Sequence, residues 1–197
     1  MQKLKIAVVG VQGAVEEHIE CLNACNADAL WARRVSDLEG VSGAVIPGGE
    51  STTINKLMLS GGMHARIREL ALAGMPVLGT CAGAILLAKE GDVQTEKTGQ
   101  TLLGLMDFKV NRNAFGRQSD SFEAHVEVPE IGKPDFPGIF IRAPSIEKVF
   151  GGANVFATLG GTPVGVRQGN LIALAFHPEL SGDLRVHDFF AGLCARQ

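Results

Sequence analysis

Short apolar runs alternate with helix-patterned segments through the first half of the chain, and no other feature limits the fold as strongly. Residues 4–10, 30–35, 43–46 and 77–80 read as strands. Residues 14–25, 51–59, 64–73 and 84–88 read as helices, the first with Val15, Ile19 and Leu22 at the i, i+4 and i+7 spacing of one buried face. Strands separated by helices in this manner form β-α-β units and a largely parallel sheet. Past residue 91 the helical period fades. Strand-like runs at 105–110, 122–128, 139–142, 155–159, 164–167 and 171–176 then predict antiparallel additions, closed by a helix over 184–195 that covers the sheet with Val186, Phe189, Phe190 and Leu193. The 197 residues contain no Pro/Gly/Ser-rich linker and no internal repeat, so residues 1–197 are expected to form one domain.

Composition removes several classes of function. The net charge of −3, from 18 basic and 21 acidic residues without a basic block, argues against nucleic-acid binding through phosphate neutralisation. The longest apolar runs, 43–47 and 171–176, fall far short of the roughly 20 residues that span a bilayer. With no apolar leader after Met1, the cytoplasm is the expected compartment. Cys21, Cys25, Cys81 and Cys194 lack the spacing of a disulfide framework and are expected to be reduced. Cys21 and Cys25 could supply half of a metal site, but no second Cys/His pair has ligand spacing, so no metal is expected. His18, His64, His125 and His187 stand singly and are expected in solvent or capping roles.

The strongest chemical signal is Gly79-Thr80-Cys81-Ala82-Gly83, a G-x-C-x-G between a strand and a helix. A sharp strand-to-helix turn crowds the backbone, so small residues must flank the nucleophile, and the helix N-terminus offers free N–H groups to an oxyanion. A small buried cysteine would satisfy the same pattern. His177-Pro178-Glu179 follows the last apolar run; on an extended segment, residues two apart share a side, so Glu179 can orient His177. Alone, that segment reads more readily as a strand-ending His-Pro turn with a solvated Glu179; the elbow on the same sheet edge reverses that preference. Pro47-Gly48-Gly49-Glu50-Ser51 ends another parallel strand, where open α/β sheets bind ligands. The N–H groups of Gly49 and Ala82 are the expected oxyanion hole, although the same loop could be an ordinary turn with Ser51 as helix N-cap. Arg112 and Arg142 are weaker candidates for binding a carboxylate.

Together, the elbow and the His-x-Glu segment resemble the class I, triad-type glutamine amidotransferases. Residues 11–18, 47–53, 112–118, 120–123 and 140–144 narrow the likeness to the glutaminase subunits of pyridoxal 5'-phosphate synthase, almost end to end. The resemblance implies a three-layer, flavodoxin-like α/β fold with an open, mostly parallel sheet and antiparallel additions in the C-terminal half. It implies that Cys81, His177 and Glu179 form a triad hydrolysing L-glutamine to L-glutamate and ammonia without a cofactor. Gly49 and Ala82 would hold the oxyanion, and Gly49, Glu50, Ser51, Arg112, Ile141 and Arg142 would bind glutamine. It also implies a hetero-oligomer with a barrel-shaped synthase subunit that uses the ammonia, docked on a surface including Gln12. Val11 and Ala84 stand where a leucine is expected, and the stretch 91–99 is longer than the minimum; these touch packing and a loop, not the chemistry. A non-catalytic, partner-binding module on the same scaffold is the rival from another class.

Overall fold

The structure, a computed structural model, describes residues 4–10, 13–112 and 121–196. Its centre is a seven-stranded sheet in the order β10-β11-β12-β4-β3-β1-β2. The strands β1 (Lys5–Val9), β2 (Asp28–Ala32), β3 (Gly43–Ile46), β4 (Val77–Thr80) and β12 (Leu171–Leu174) run parallel. The strands β10 (Asn154–Leu159) and β11 (Thr162–Gln168) extend one edge antiparallel. An α/β architecture with a mostly parallel sheet and C-terminal antiparallel strands is therefore as expected.

Apart from Lys5 at the start of β1 and Thr80 at the end of β4, the central strands β1, β3, β4 and β12 are apolar because both faces are covered. Period-2 alternation splits their side chains between two cores: Ala7, Val9, Ala44, Ile46, Val77 and Ala173 face one, and Ile6, Val8, Val45, Leu78, Ile172 and Leu174 the other. The first core is closed by α2 (Ser51–Ser60), α3 (Met63–Leu72) and α4 (Ala82–Leu87), the second by α1 (Val15–Ala24) and α6 (Arg185–Cys194). Of the residues expected to anchor α6, Val186, Phe190 and Leu193 are buried, whereas Phe189 is partly covered beneath the Arg167 guanidinium.

The second half holds more than sequence periodicity shows. The strands β5 (Ala88–Glu90), β6 (Met106–Asn111) and β9 (Ser145–Val149) form a separate three-stranded sheet, and β7 (Ser121–Val126) pairs with β8 (Phe136–Ile141) in a hairpin. Of these, β5, β9 and the start of β8 escaped the sequence reading: β5 is three residues long, β9 carries Glu147 and Lys148, and Pro137-Gly138 interrupts β8. The short helix α5 (Val93–Lys97) was also unforeseen. It is too brief for a period and is nucleated by Asp92, whose carboxylate accepts from Thr95 N at 2.8 Å. The second strand starts two residues earlier than expected and is followed by a 3-10 turn, Val35–Leu38.

Candidate active site

The elbow is built by steric necessity. β4 ends at Thr80 and α4 begins at Ala82, so Cys81 alone makes the turn, at φ 49° and ψ −102°. A non-glycine residue there is strained and must be held by its surroundings. Cys81 N–H donates to Leu174 O at 2.7 Å, and Cys81 O accepts from Ile85 N at 3.2 Å. The flanking glycines leave no room for a side chain: a methyl at Gly83 would overlap the Ile46 carbonyl, and one at Gly79 would lie 2.6 Å from the Gly83 carbonyl. The helix starts two residues earlier than its apolar run suggested, which puts Ala82 N–H in its first turn, where no intrahelical acceptor exists.

His177 leaves the end of β12 and is anchored by its N–H to Ile139 O at 2.8 Å. Its Nδ1 lies 2.7 Å from Glu179 Oε1. The expected partnership is present, but its cause differs from the extended geometry inferred above. Pro178–Leu180 forms a 3-10 turn, which curls Glu179 back under the imidazole. His177 also lies against Cys81, and a methyl on Gly48 would overlap the imidazole and crowd Cys81 Cβ. Burial by itself lowers the His177 pKa, but the interactions with Cys81 and the Glu179 carboxylate outweigh it and push it up to about 10. The imidazole is thus held between two groups that favour its charged form, which makes it a ready acceptor for a proton. Desolvation works to raise Glu179, and the facing His18 and His177 hold it below the usual carboxylate range.

Cys81 and His177 open onto a cavity of about 520 Å³ at the carboxyl ends of the parallel strands, lined by Gly48, Gly49, Glu50, Ser51, Ala82, Arg112, Ile141 and Arg142 among others. The SNO glutamine amidotransferase family matches residues 8–196. The chain belongs to that family. Among its relatives, the pyridoxal 5'-phosphate synthase subunit PdxT of Methanosarcina mazei is 51% identical over 193 residues, 95% of this chain and 96% of the relative. The PdxT subunit of Pelotomaculum thermopropionicum is 49% identical over 98% of this chain and 96% of its own length. A crystal structure of a glutamine amidotransferase superposes with a TM-score of 0.89 at 43% identity, covering 96% of this chain and 98% of that one. The PurLQS structure from Thermotoga maritima, 14% identical over 99% of each chain with a TM-score of 0.67, shares the fold.

In this amidotransferase the cavity gathers every glutamine-binding residue expected from the sequence, although their side chains are not equally free. The Glu50 carboxylate caps α2, accepting from Thr52 N at 3.0 Å and Thr53 N at 2.7 Å, so the helix cap is Glu50 rather than Ser51. Arg112 bonds Gln100 Oε1 at 3.0 Å and Thr52 Oγ1 at 3.2 Å, and its guanidinium stands 3.7 Å from Glu50. Ile141 contributes its carbonyl, which accepts from the Cys81 thiol at 3.8 Å. Arg142 is exposed at the rim, with φ 44°. Gln12 lies outside the described residues; its neighbours Gly13 and Ala14 line the cavity, Gly13 at φ 110° against the Gly48 carbonyl.

Three histidines depart from expectation. His18 and His187, expected in solvent or capping roles, have no solvent exposure at all. His18 Nδ1 meets His187 Nε2 at 2.9 Å, and His18 Nε2 lies 3.1 Å from Thr80 Oγ1 and 3.3 Å from Glu179 Oε2. Thr80 Oγ1 also accepts from Gly48 N–H at 3.1 Å. His64 is buried as well, bonded to Thr101 O at 3.1 Å, while His125 is exposed as expected. No local signal marks His18 and His187: they are 169 residues apart and meet only because α1 and α6 cover the same sheet face. All four cysteines are free thiols. Among the described residues no cluster of three or more His, Cys, Asp or Glu could hold a metal, and no helix is long and apolar enough to cross a membrane.

Proposed function

We propose that the chain hydrolyses L-glutamine to L-glutamate and ammonia through a thioester on Cys81, and hands the ammonia to a synthase subunit making pyridoxal 5'-phosphate from ribose 5-phosphate and glyceraldehyde 3-phosphate. The observation that carries it is Cys81 held at a strained turn against the imidazole of His177, which is itself paired with Glu179, on the wall of a cavity open to solvent. The Cys81 thiol gives its proton to His177, and the sulfur attacks the side-chain amide carbon of glutamine. The oxyanion is held by the N–H groups of Gly49 and Ala82. As the tetrahedral intermediate collapses, His177 protonates the nitrogen, the C–N bond breaks and ammonia leaves, with a glutamyl thioester remaining on Cys81. His177 then takes a proton from water, the hydroxide attacks the thioester carbonyl, and glutamate is released with the thiol restored. Glu179 keeps the imidazole oriented. Glu50, Ser51, Arg112, Ile141 and Arg142 line the part of the cavity that receives the amino-acid end of glutamine.

Free ammonia is protonated in neutral water and loses its nucleophilicity, so the reaction needs a docked acceptor. We read that acceptor as a barrel-shaped synthase subunit in a hetero-oligomer, docked on a surface that includes Gln12; the PdxT relatives are named as subunits of pyridoxal 5'-phosphate synthase, which supports an acceptor subunit as such. A catalytic thiol needs a reducing compartment, which supports the cytoplasm. The test is glutamate release from glutamine in the presence of a pyridoxal phosphate synthase subunit. Cys81→Ala is expected to abolish it, and a variant that turns over at the normal rate would remove Cys81 from the mechanism.

A further inference from the structure

The Glu179 carboxylate has two oxygens in the interior, and the triad uses one. Oε1 receives the His177 Nδ1–H at 2.7 Å, while Oε2 has no well-aligned hydrogen bond and faces His18 Nε2 at 3.3 Å. The Glu179 side chain has no solvent exposure, so water does not cover that oxygen. A buried carboxylate oxygen opposed by a bare nitrogen lone pair would be strongly unfavourable. His18 therefore carries its proton on Nε2, shared between Glu179 Oε2 and Thr80 Oγ1. Its Nδ1 is then the acceptor in the 2.9 Å contact with His187, which must donate from Nε2. The one atom left without a partner at the end of this chain is His187 Nδ1, a bare lone pair. The tautomers are thus set by one another, and N–H groups converge on Glu179 from both sides.

We propose that His18 is a positioning residue for glutamine hydrolysis: its Nε2–H holds the second oxygen of Glu179, His187 fixes the tautomer that allows this, and Glu179 thereby keeps His177 aimed at Cys81. The proposal rests on the reading of Cys81, His177 and Glu179 as the triad. The titratable groups facing Glu179 are His177 from its own turn, His18 and Cys21 from α1 and His187 from α6, with Glu17 acting on His18; β8, which also packs on the turn, brings none. Burial lowers His18 and takes His187 down to about 3, so both rings are neutral, as a chain of single N–H donors requires.

Loss of an N–H donor to an ionised carboxylate raises the pKa of that carboxylate, and Glu179 would then be neutralised at higher pH. The experiment measures glutamate release by the full chain with saturating synthase subunit, across pH. His18→Leu is expected to lower kcat by about tenfold, a fraction of what a positioned acid–base group contributes. The acid limb of its profile should move up by about one pH unit, with KM changed by less than about twofold. His18→Gln, whose amide N–H reaches the position of Nε2, should restore most of the rate and return the limb. A folded His18→Leu with unchanged kcat and limb would overturn the proposal, as would a slower variant with an unmoved limb and no rescue by Gln, the pattern of a packing role. If His18→Leu does not fold, imidazole nitrogen NMR of the unaltered protein decides: Nε2–H on both His18 and His187 is expected, and Nδ1–H on either overturns the proposal. Cys81→Ala run alongside separates the two levels, because full activity there would remove the triad reading itself.

Discussion

At the scale of single residues, the site depends on which atoms donate. Glu179 accepts from His177 on one oxygen and faces His18 on the other. An amide at this position offers one acceptor and one NH2 group, so one of the two imidazoles would meet a donor with a donor. Glu179→Gln should therefore fold yet lose roughly a hundredfold in kcat, while remaining above Cys81→Ala, because the nucleophile and the oxyanion donors are untouched. Steady-state glutamate release reads this, and an unaltered rate would show that the charge of Glu179 is dispensable. The same logic explains Gly48: its lack of a side chain lets the His177 ring and Cys81 share the space above the loop.

At the scale of elements, the loop after β3 has two tasks at once. It lines the cavity with Gly48 and Gly49, and it starts α2 with a carboxylate cap. Partial burial works to raise the Glu50 pKa, but hydrogen bonds from the Thr53 hydroxyl and the Thr52 and Thr53 N–H groups outweigh it and hold it at about 2, against an ordinary value of 4.5. A carboxylate whose folded value is depressed adds stability above its unfolded value and loses that contribution as pH falls toward the folded one. Glu50→Ala should accordingly lower stability at neutral pH by about 1 kcal/mol, the ordinary worth of an N-cap at a solvent-exposed site. Urea unfolding of both proteins should show the gap narrowing as the pH drops from about 5 toward 2. A gap independent of pH would mean that the cap acts through shape rather than charge.

At the scale of the whole molecule, the fold sets Cys81 and His177 at neighbouring strand ends, since β4 and β12 pair in parallel with Thr80 opposite Leu174. The start of α1 closes the same cavity: Ala14 N–H reaches the Gly48 carbonyl only at a long 3.4 Å. On the proposed docking surface, a partner would press on the loop that would hold the oxyanion. Glutamate release by the isolated chain should thus be slow and rise roughly tenfold or more with the synthase subunit, within the usual range of coupling between sites. Equal rates with and without the subunit would detach docking from catalysis.

The first half of the fold was legible because its strands are buried on both faces and so read as unbroken apolar runs, while its helices are amphipathic over several turns. The elbow was legible for the same kind of reason: a turn this tight excludes side chains on either side of Cys81, and Gly79 and Gly83 record that locally. The second half resisted because its strands are short, half-exposed or interrupted, as at Pro137-Gly138, so neither period was long enough to read. Glu50 as cap and the 3-10 turn under His177 depend on backbone geometry that several residue types satisfy. The buried histidines lay beyond reach altogether, since polarity suggests a surface position for a lone histidine. Sequence by itself determined the class of fold and pointed to the three residue types that the proposed chemistry uses, because both are encoded in neighbouring positions. Only the tertiary structure decided that His18 and His187 stand behind Glu179, because packing α1 and α6 on one sheet face brings together side chains that no local spacing relates.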